Sequence, residues 1–193
     1  MEEGLRSLAC DPRVSVLGEI GLDYHYDFSP RDDQRRAFRA QIALAQELDL
    51  PIMLHIREAH DEAVSILLEE GLPPRGALLH CYGGDSATLQ PFLDLGCMVA
   101  YGGVLTFNNG QDARESAAQA PLERLLTETD APYMAPVPLR GTACSPDQVV
   151  FTAARLLDVR GLVSERGQRE FLEAIHDNAL VFLDWSRGGG GAR

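Results

Sequence analysis

The chain alternates between two patterns. Short apolar runs at residues 14–21, 51–55, 76–80, 97–103 and 125–130 each end in a polar residue or a glycine. They are too short for isolated helices and rich in residues suited to buried strands. Between them, apolar residues recur at three- and four-residue steps. Ser29-Pro30-Arg31-Asp32 reads as a helix start, with a capping serine, proline at the first helical position and a carboxylate in the first turn. Phe38, Ile42, Ala45 and Leu48 supply one apolar stripe behind it. Residues 58–70 carry Ala63, Ile66, Leu67 and Leu68, with Gly71 placed to end that helix. Residues 85–95 make a third helix interrupted by Pro91 and stopped by Gly96. Ser145-Pro146-Asp147 opens another, whose apolar face is Val149, Val150, Ala153, Leu156 and Leu157. Residues 164–183 form the last, with Phe171, Ile175, Leu180 and Leu183 among its buried candidates and Trp185 as a packing anchor.

Strands alternating with helices predict an α/β fold whose parallel sheet has right-handed crossovers. The 193 residues would fit an open doubly wound sheet, whereas a complete barrel takes ~250. No proline- or serine-rich linker divides the chain, so we expect one domain over residues 1–185 and a flexible glycine-rich tail over 186–193. With 45% hydrophobic and 24% charged residues, a sizeable core is available and global disorder is excluded.

Seventeen basic against 29 acidic side chains leave a net charge of −12. That argues against a nucleic-acid binder working through a broad basic face. It does not exclude an enzyme whose metal ions supply positive charge locally. No stretch approaches the ~18 apolar residues of a membrane helix, and the first ten residues lack the apolar core of a signal peptide. The four cysteines form no CxxC pair and read as reduced thiols, which predicts a cytoplasmic protein.

Glu19, His55, His80 and Asp130 fall at or near the polar ends of four of the five runs. In parallel α/β folds, functional groups collect at the C-terminal ends of the strands. Carboxylates neutralise a dication and can bridge two ions, neutral imidazoles bind without adding charge, and an aspartate can take a proton from an activated water. Each residue also has a plainer reading: a strand-end histidine is more often a satisfied, half-buried side chain, and a lone glutamate is often an ion-pair partner. Four together fit a site for Zn²⁺, Mn²⁺ or Mg²⁺. Arg57 and Arg140 are candidate phosphate clamps, since guanidinium matches phosphate oxygens bidentately, or else surface ion-pair residues. His25, His60 and His176 read as surface or hydrogen-bonding residues. Tyr82, Phe107 and Tyr133 lie near rim loops, where they either pack or stack on bases.

The wording around these residues resembles one family. Val16-Leu17-Gly18-Glu19-Ile20-Gly21-Leu22-Asp23-Tyr24 is similar to the GE-(I/C)-GLD signature of the TatD family of metal-dependent deoxyribonucleases. Pro51-Ile52-Met53-Leu54-His55-Ile56-Arg57-Glu58-Ala59 resembles its P-x-x-x-H-x-R-x-A strand end, and Leu79-His80-Cys81-Tyr82-Gly83-Gly84 its HCF-(S/T)-G segment. Leu126-Thr127-Glu128-Thr129-Asp130-Ala131-Pro132-Tyr133 matches L-x-ETDAPY, and Asn178 falls where the family carries an N-x-x-x-(L/F)-F ending. The resemblance implies an amidohydrolase-type TIM barrel, here incomplete, with about five parallel strands and outer helices. It implies that Glu19 bridges two metals, that His55 and His80 hold the second, and that Asp130 ligates the first and serves as catalytic base. The implied activity is cleavage of DNA phosphodiester bonds, with single-stranded DNA as substrate, through a metal-activated water and one or two divalent ions. No membrane or protein partner is implied.

The chain also departs from the pattern. The family's opening His-x-His, which supplies two ligands of the first metal, is absent from this sequence. Three βα units at ~30 residues each would account for the difference from full barrel length, which predicts an N-terminally truncated gene product. Pro136-Val137-Pro138-Leu139-Arg140-Gly141 resembles the P-x-P-x-RG loop, but Cys144 stands where asparagine is expected. By ligand counting, the chain as written should bind a single metal and show little DNase activity. Two alternatives stay open: a related metal hydrolase acting on another ester or amide, and an inactive fragment retaining a partial metal site.

Overall fold

The computed structural model describes residues 2–183, so Trp185 and the glycine-rich tail lie outside the described residues. All five apolar runs form strands: β1 (Leu17–Asp23), β2 (Ile52–Arg57), β3 (Ala77–Leu79), β4 (Met98–Tyr101) and β5 (Leu125–Thr127). They make one parallel sheet in chain order. The helices around it are α1 (Glu2–Ala9), α2 (Arg31–Glu47), α3 (His60–Glu70), α4 (Ser86–Asp94), α5 (Gln111–Gln119), α6 (Val149–Val159) and α7 (Glu165–Leu183). This is the expected α/β class. Among the described residues, no helix is long and apolar enough to cross a membrane, and none of the four cysteines is in a disulfide.

Contacts divide the chain into two compact units: residues up to Leu78 together with the end of α7 from Leu180, and Leu79–Ala179. In the first unit, β1 and β2 run parallel, and α2, with Phe38, Ile42 and Ala45 buried, packs on β1. The strand pairing is irregular: Leu17 stands opposite Ile52 and Ile20 opposite Leu54, so β1 takes three steps where β2 takes two. The extra residue is a β-bulge of the kind that re-aims side chains beside functional sites. Ser29 does not cap α2; the N-cap is Pro30, and the Ser29 carbonyl instead accepts from Gln34 Nε2 at 2.9 Å. Leu68 lies off the buried stripe of α3 and is exposed.

In the second unit, β4 and β5 pair in register from Val99–Leu125 to Tyr101–Thr127. Asp85 caps α4 by accepting from the Thr88 amide at 2.8 Å, and Pro91 is carried inside that helix. Helix α5 has no apolar stripe in the sequence, because its buried face is Ala113, Ser116 and Ala117. Ser116 hides its hydroxyl by accepting from the Tyr101 hydroxyl and donating to the Gly84 carbonyl, each at 2.9 Å. Ser145-Pro146-Asp147 leads into α6 through a 3₁₀ turn, Pro146–Gln148. The inner face of α6 is Thr152 and Leu156, with Val150 turned to solvent. Along α7 the stripe is Phe171, Ile175 and Phe182, while Leu180 is exposed. Asn178 sits on that stripe and donates to the carbonyls of Leu122 and Leu125 at 2.7 and 3.0 Å, tying α7 to the start of β5.

Candidate metal centre

Glu19 is the third residue of β1, inside the bulge rather than at the strand end, and its carboxylate is solvent-exposed between the buried Leu17 and Ile20. His55 is the fourth residue of β2, and His80 follows β3 directly. One candidate ligand atom from each of Glu19, His55 and His80 lies within 4.8 Å of the other two. Bonds of ~2.0–2.2 Å to imidazole nitrogen and carboxylate oxygen bring such atoms around a single ion with small side-chain adjustments. The donor set, one carboxylate and two imidazoles, suits Zn²⁺ or Mn²⁺.

Gly21 shows why the strand carries glycine here. Its φ is +142°, and a Cβ there would stand 2.2 Å from the His55 carbonyl oxygen. Only glycine lets β1 approach β2 this closely.

Each histidine has a carboxylate neighbour. Asp23, the last residue of β1, places Oδ2 3.1 Å from His55 Nε2, while His55 Nδ1 faces Glu19 Oε2 at 3.6 Å. An ionised carboxylate only accepts, so the contact sets Nε2 as the protonated nitrogen and leaves Nδ1 as the atom with a lone pair. Burial pushes the Asp23 carboxyl up, but the Tyr26 amide, the His55 ring and the His25 amide together outweigh it and hold the group below the usual carboxylate value. Gln34 anchors the same turn by accepting from the Asp23 amide at 2.9 Å. His80 is more deeply placed, its side chain 7% exposed, with Nδ1 3.5 Å from Glu128 Oε1. Glu128 Oε1 also accepts from the Cys81 amide. A histidine backed by a carboxylate is the usual outer layer of a metal site, fixing ring orientation and basicity. Sequence reasoning gave Asp23 and Glu128 no such role, although both stand inside the motifs quoted above.

Asp130 lies in the segment after β5, three residues beyond Thr127, and is not a member of the three-residue group. Arg57 ends β2 exposed, its guanidinium 4.7 Å from the Tyr26 ring centroid. Arg140 is exposed too, lying 3.8 Å over Phe107 and donating to the Ala135 carbonyl at 3.3 Å. His25 Nδ1 stands 2.7 Å from Glu58 Oε1, and His176 is on the surface of α7. Of the rim aromatics, Tyr82 and Phe107 are buried and Tyr133 is exposed. Cys144 is buried, its amide donating to the Pro132 carbonyl at 2.9 Å.

A five-stranded parallel sheet with surrounding helices, carrying a carboxylate and two histidines grouped at three neighbouring strands, defines an α/β scaffold of the TIM-barrel type with a candidate metal-binding group. The chain belongs to the TatD related DNase family, whose pattern it matches over residues 1–183. It is 37% identical over 161 residues to the metal-dependent hydrolase YabD of Bacillus subtilis (strain 168), covering 83% of this chain and 63% of that protein. It is 43% identical over 141 residues to the 3'-5' ssDNA/RNA exonuclease TatD of Klebsiella pneumoniae (strain 342), covering 72% of this chain and 53% of that one. The crystal structure of YjjV, a TatD homologue from Escherichia coli K12, superposes with a TM-score of 0.87 at 30% identity, over 95% of this chain and 70% of that one. The chain therefore spans between half and two thirds of the length of these two curated relatives.

Proposed function

We propose that this chain carries the centre of a divalent-metal phosphodiesterase acting on DNA, with single-stranded DNA as its substrate, in the cytoplasm. The observation that supports it most is the grouping of Glu19, His55 and His80 around a volume the size of one ion. Membership in a metal-dependent hydrolase family supports it further. The exonuclease name of the Klebsiella relative points toward nucleic acid. We read residues 1–185 as one catalytic domain.

In this reading Glu19, His55, His80 and Asp130 are the metal ligands. A divalent ion held by them would supply Lewis-acid polarisation of a phosphoryl oxygen and lower the pKa of a water enough for attack at neutral pH. The remaining work falls to the chain. Asp23 holds His55, and Glu128 holds His80, so that each ring offers a set nitrogen. Asp130 takes the proton released by the attacking water. Arg57 and Arg140 clamp non-bridging phosphate oxygens, a task guanidinium performs with two parallel N–H groups. These arginines offer local positive charge to a polyanion that the net charge of −12 would otherwise repel.

The test is release of nucleotides from labelled single-stranded DNA in Mn²⁺ or Mg²⁺, with and without chelator. Chelator-sensitive release that Asp130→Asn abolishes is the expected result, at the low rate that the ligand count predicts for this chain. Release unaffected by chelator, or by Asp130→Asn, refutes the assignment. Tight binding of one Mn²⁺ with no cleavage selects instead the partial-site reading, which the single-ion spacing of the group favours. Cleavage of simple carboxylic esters or amides but not DNA would select the related-hydrolase reading.

A further inference from the structure

The loop that follows β1 presents two aromatic rings to solvent. Tyr26 and Phe28 stack parallel, their centroids 5.2 Å apart with 1° between the ring planes. Tyr26 is 54% exposed and Phe28 is 89% exposed. A phenyl so exposed adds almost nothing to folding, because hydrophobic stabilisation scales with area removed from water. The loop that carries it is nevertheless tied down at several points. Asp23 Oδ1 accepts from the amides of His25 and Tyr26 at 3.0 and 2.9 Å. Gln34 Nε2 reaches across to the carbonyls of Asp23 and Ser29 at 3.2 and 2.9 Å. The rings are thus held in place without being buried.

Their position matters as much as their exposure. Phe28 lines the same cavity as Glu19, Asp23 and His55, so the stack borders the candidate metal centre. Arg57 lies over the Tyr26 ring at 4.7 Å, which puts a cation on the same platform. Of the aromatics that the sequence placed near rim loops, Tyr82 and Phe107 are buried and have no face to offer, and Tyr133 is exposed but does not line this cavity.

We propose that the Tyr26–Phe28 pair is a stacking platform for one base of a single-stranded nucleic acid, seating that nucleotide beside the metal centre with its phosphate toward Arg57. The proposal rests on the phosphodiesterase reading and adds to it the part of the site that grips the base. Stacking tolerates any base, because every base has a π-face, so the platform gives affinity and placement without sequence preference. A preordered pair also lowers the conformational cost of binding.

The test uses the full chain in Mn²⁺ with a short oligodeoxynucleotide containing 2-aminopurine, whose fluorescence falls when it stacks. Wild type should quench it. Phe28→Ala should weaken binding about tenfold, in line with measured base–aromatic stacking, and abolish the quenching. Phe28→Leu should behave like alanine, because it keeps apolar bulk but has no ring, and Phe28→Trp should restore both signals. Phe28 is exposed, so all three variants should fold, as a shared thermal midpoint would confirm. Wild-type quenching that survives in Phe28→Ala and Phe28→Leu, or no quenching by wild type at all, overturns the platform. Cleavage of the same oligonucleotide is followed in parallel. Cleavage by wild type with quenching unchanged in the variants removes the platform and leaves the hydrolase. Quenching lost in Phe28→Ala with no cleavage by any variant supports the platform and counts against hydrolysis.

Discussion

Replacing Asp23 by asparagine should weaken metal binding at the candidate centre without touching a proposed ligand. The carboxylate has two tasks: Oδ1 receives the His25 and Tyr26 amides, and Oδ2 stands 3.1 Å from His55 Nε2. Asparagine can keep Oδ1 in the first task, but then its NH₂ group faces His55. Nε2 must accept in that arrangement, so the proton moves to Nδ1, the nitrogen that faces Glu19. The tautomer that can bind an ion there is lost. Removing the carboxylate behind a metal-binding histidine weakens metal affinity roughly 10- to 100-fold. At a Mn²⁺ concentration 100 times the wild-type dissociation constant, bound metal stabilises wild type by about 2.7 kcal/mol, and a variant binding 30-fold more weakly by about 0.9 kcal/mol. For a chain of this size the difference is roughly 4–7 °C in the metal-induced rise of the melting temperature. The assay is thermal unfolding followed by circular dichroism across a Mn²⁺ titration, with His55→Ala as the ligand-loss control. A metal-induced rise in Asp23→Asn equal to that of wild type, with His55→Ala showing none, would refute the tautomer argument.

Two further expectations concern stability. Gly21→Ala would place a Cβ 2.2 Å from the His55 carbonyl oxygen at a φ of +142°; the variant should lose about 2 kcal/mol or more, read as a lower urea midpoint, and a midpoint equal to wild type would show that β1 moves aside easily. Burial pushes the Cys97 thiol up to about 12 from an ordinary 9.0. Between those values the unfolded chain has released a proton that the folded chain keeps, so stability should fall as pH rises above about 9, by at most ~1.4 kcal/mol per pH unit from this group. Cys97→Ala should flatten the first part of that decline in pH-dependent urea unfolding, and an unchanged slope would assign the decline to other groups.

The order of strands and helices was legible in the residues because buried parallel strands leave unbroken apolar runs and amphipathic helices leave a 3.6-residue period. All five strands stand where those runs fall. Helix α5 left no such trace, since a face built from Ala113, Ser116 and Ala117 carries almost no hydrophobic contrast. Leu180 was misplaced on the buried side of α7, where Asn178 holds the stripe instead because two backbone carbonyls satisfy its amide.

The sequence by itself determined the class of fold, the family and the chemistry available, because strand ends and short motifs are local in the chain. Which groups meet was decided only by tertiary structure. Glu19 is aimed by a bulge, and a bulge is a mismatch between two strands that neither strand encodes alone. Asp23 and His55 are 32 residues apart, and His80 and Glu128 likewise come together only across strands. The open face of Phe28 beside Glu19 and His55 is of the same kind, since a lone aromatic residue looks the same in sequence whether it packs or waits for a ligand. Orientation, tautomer and exposure are properties of neighbours, and distant neighbours are supplied by the fold.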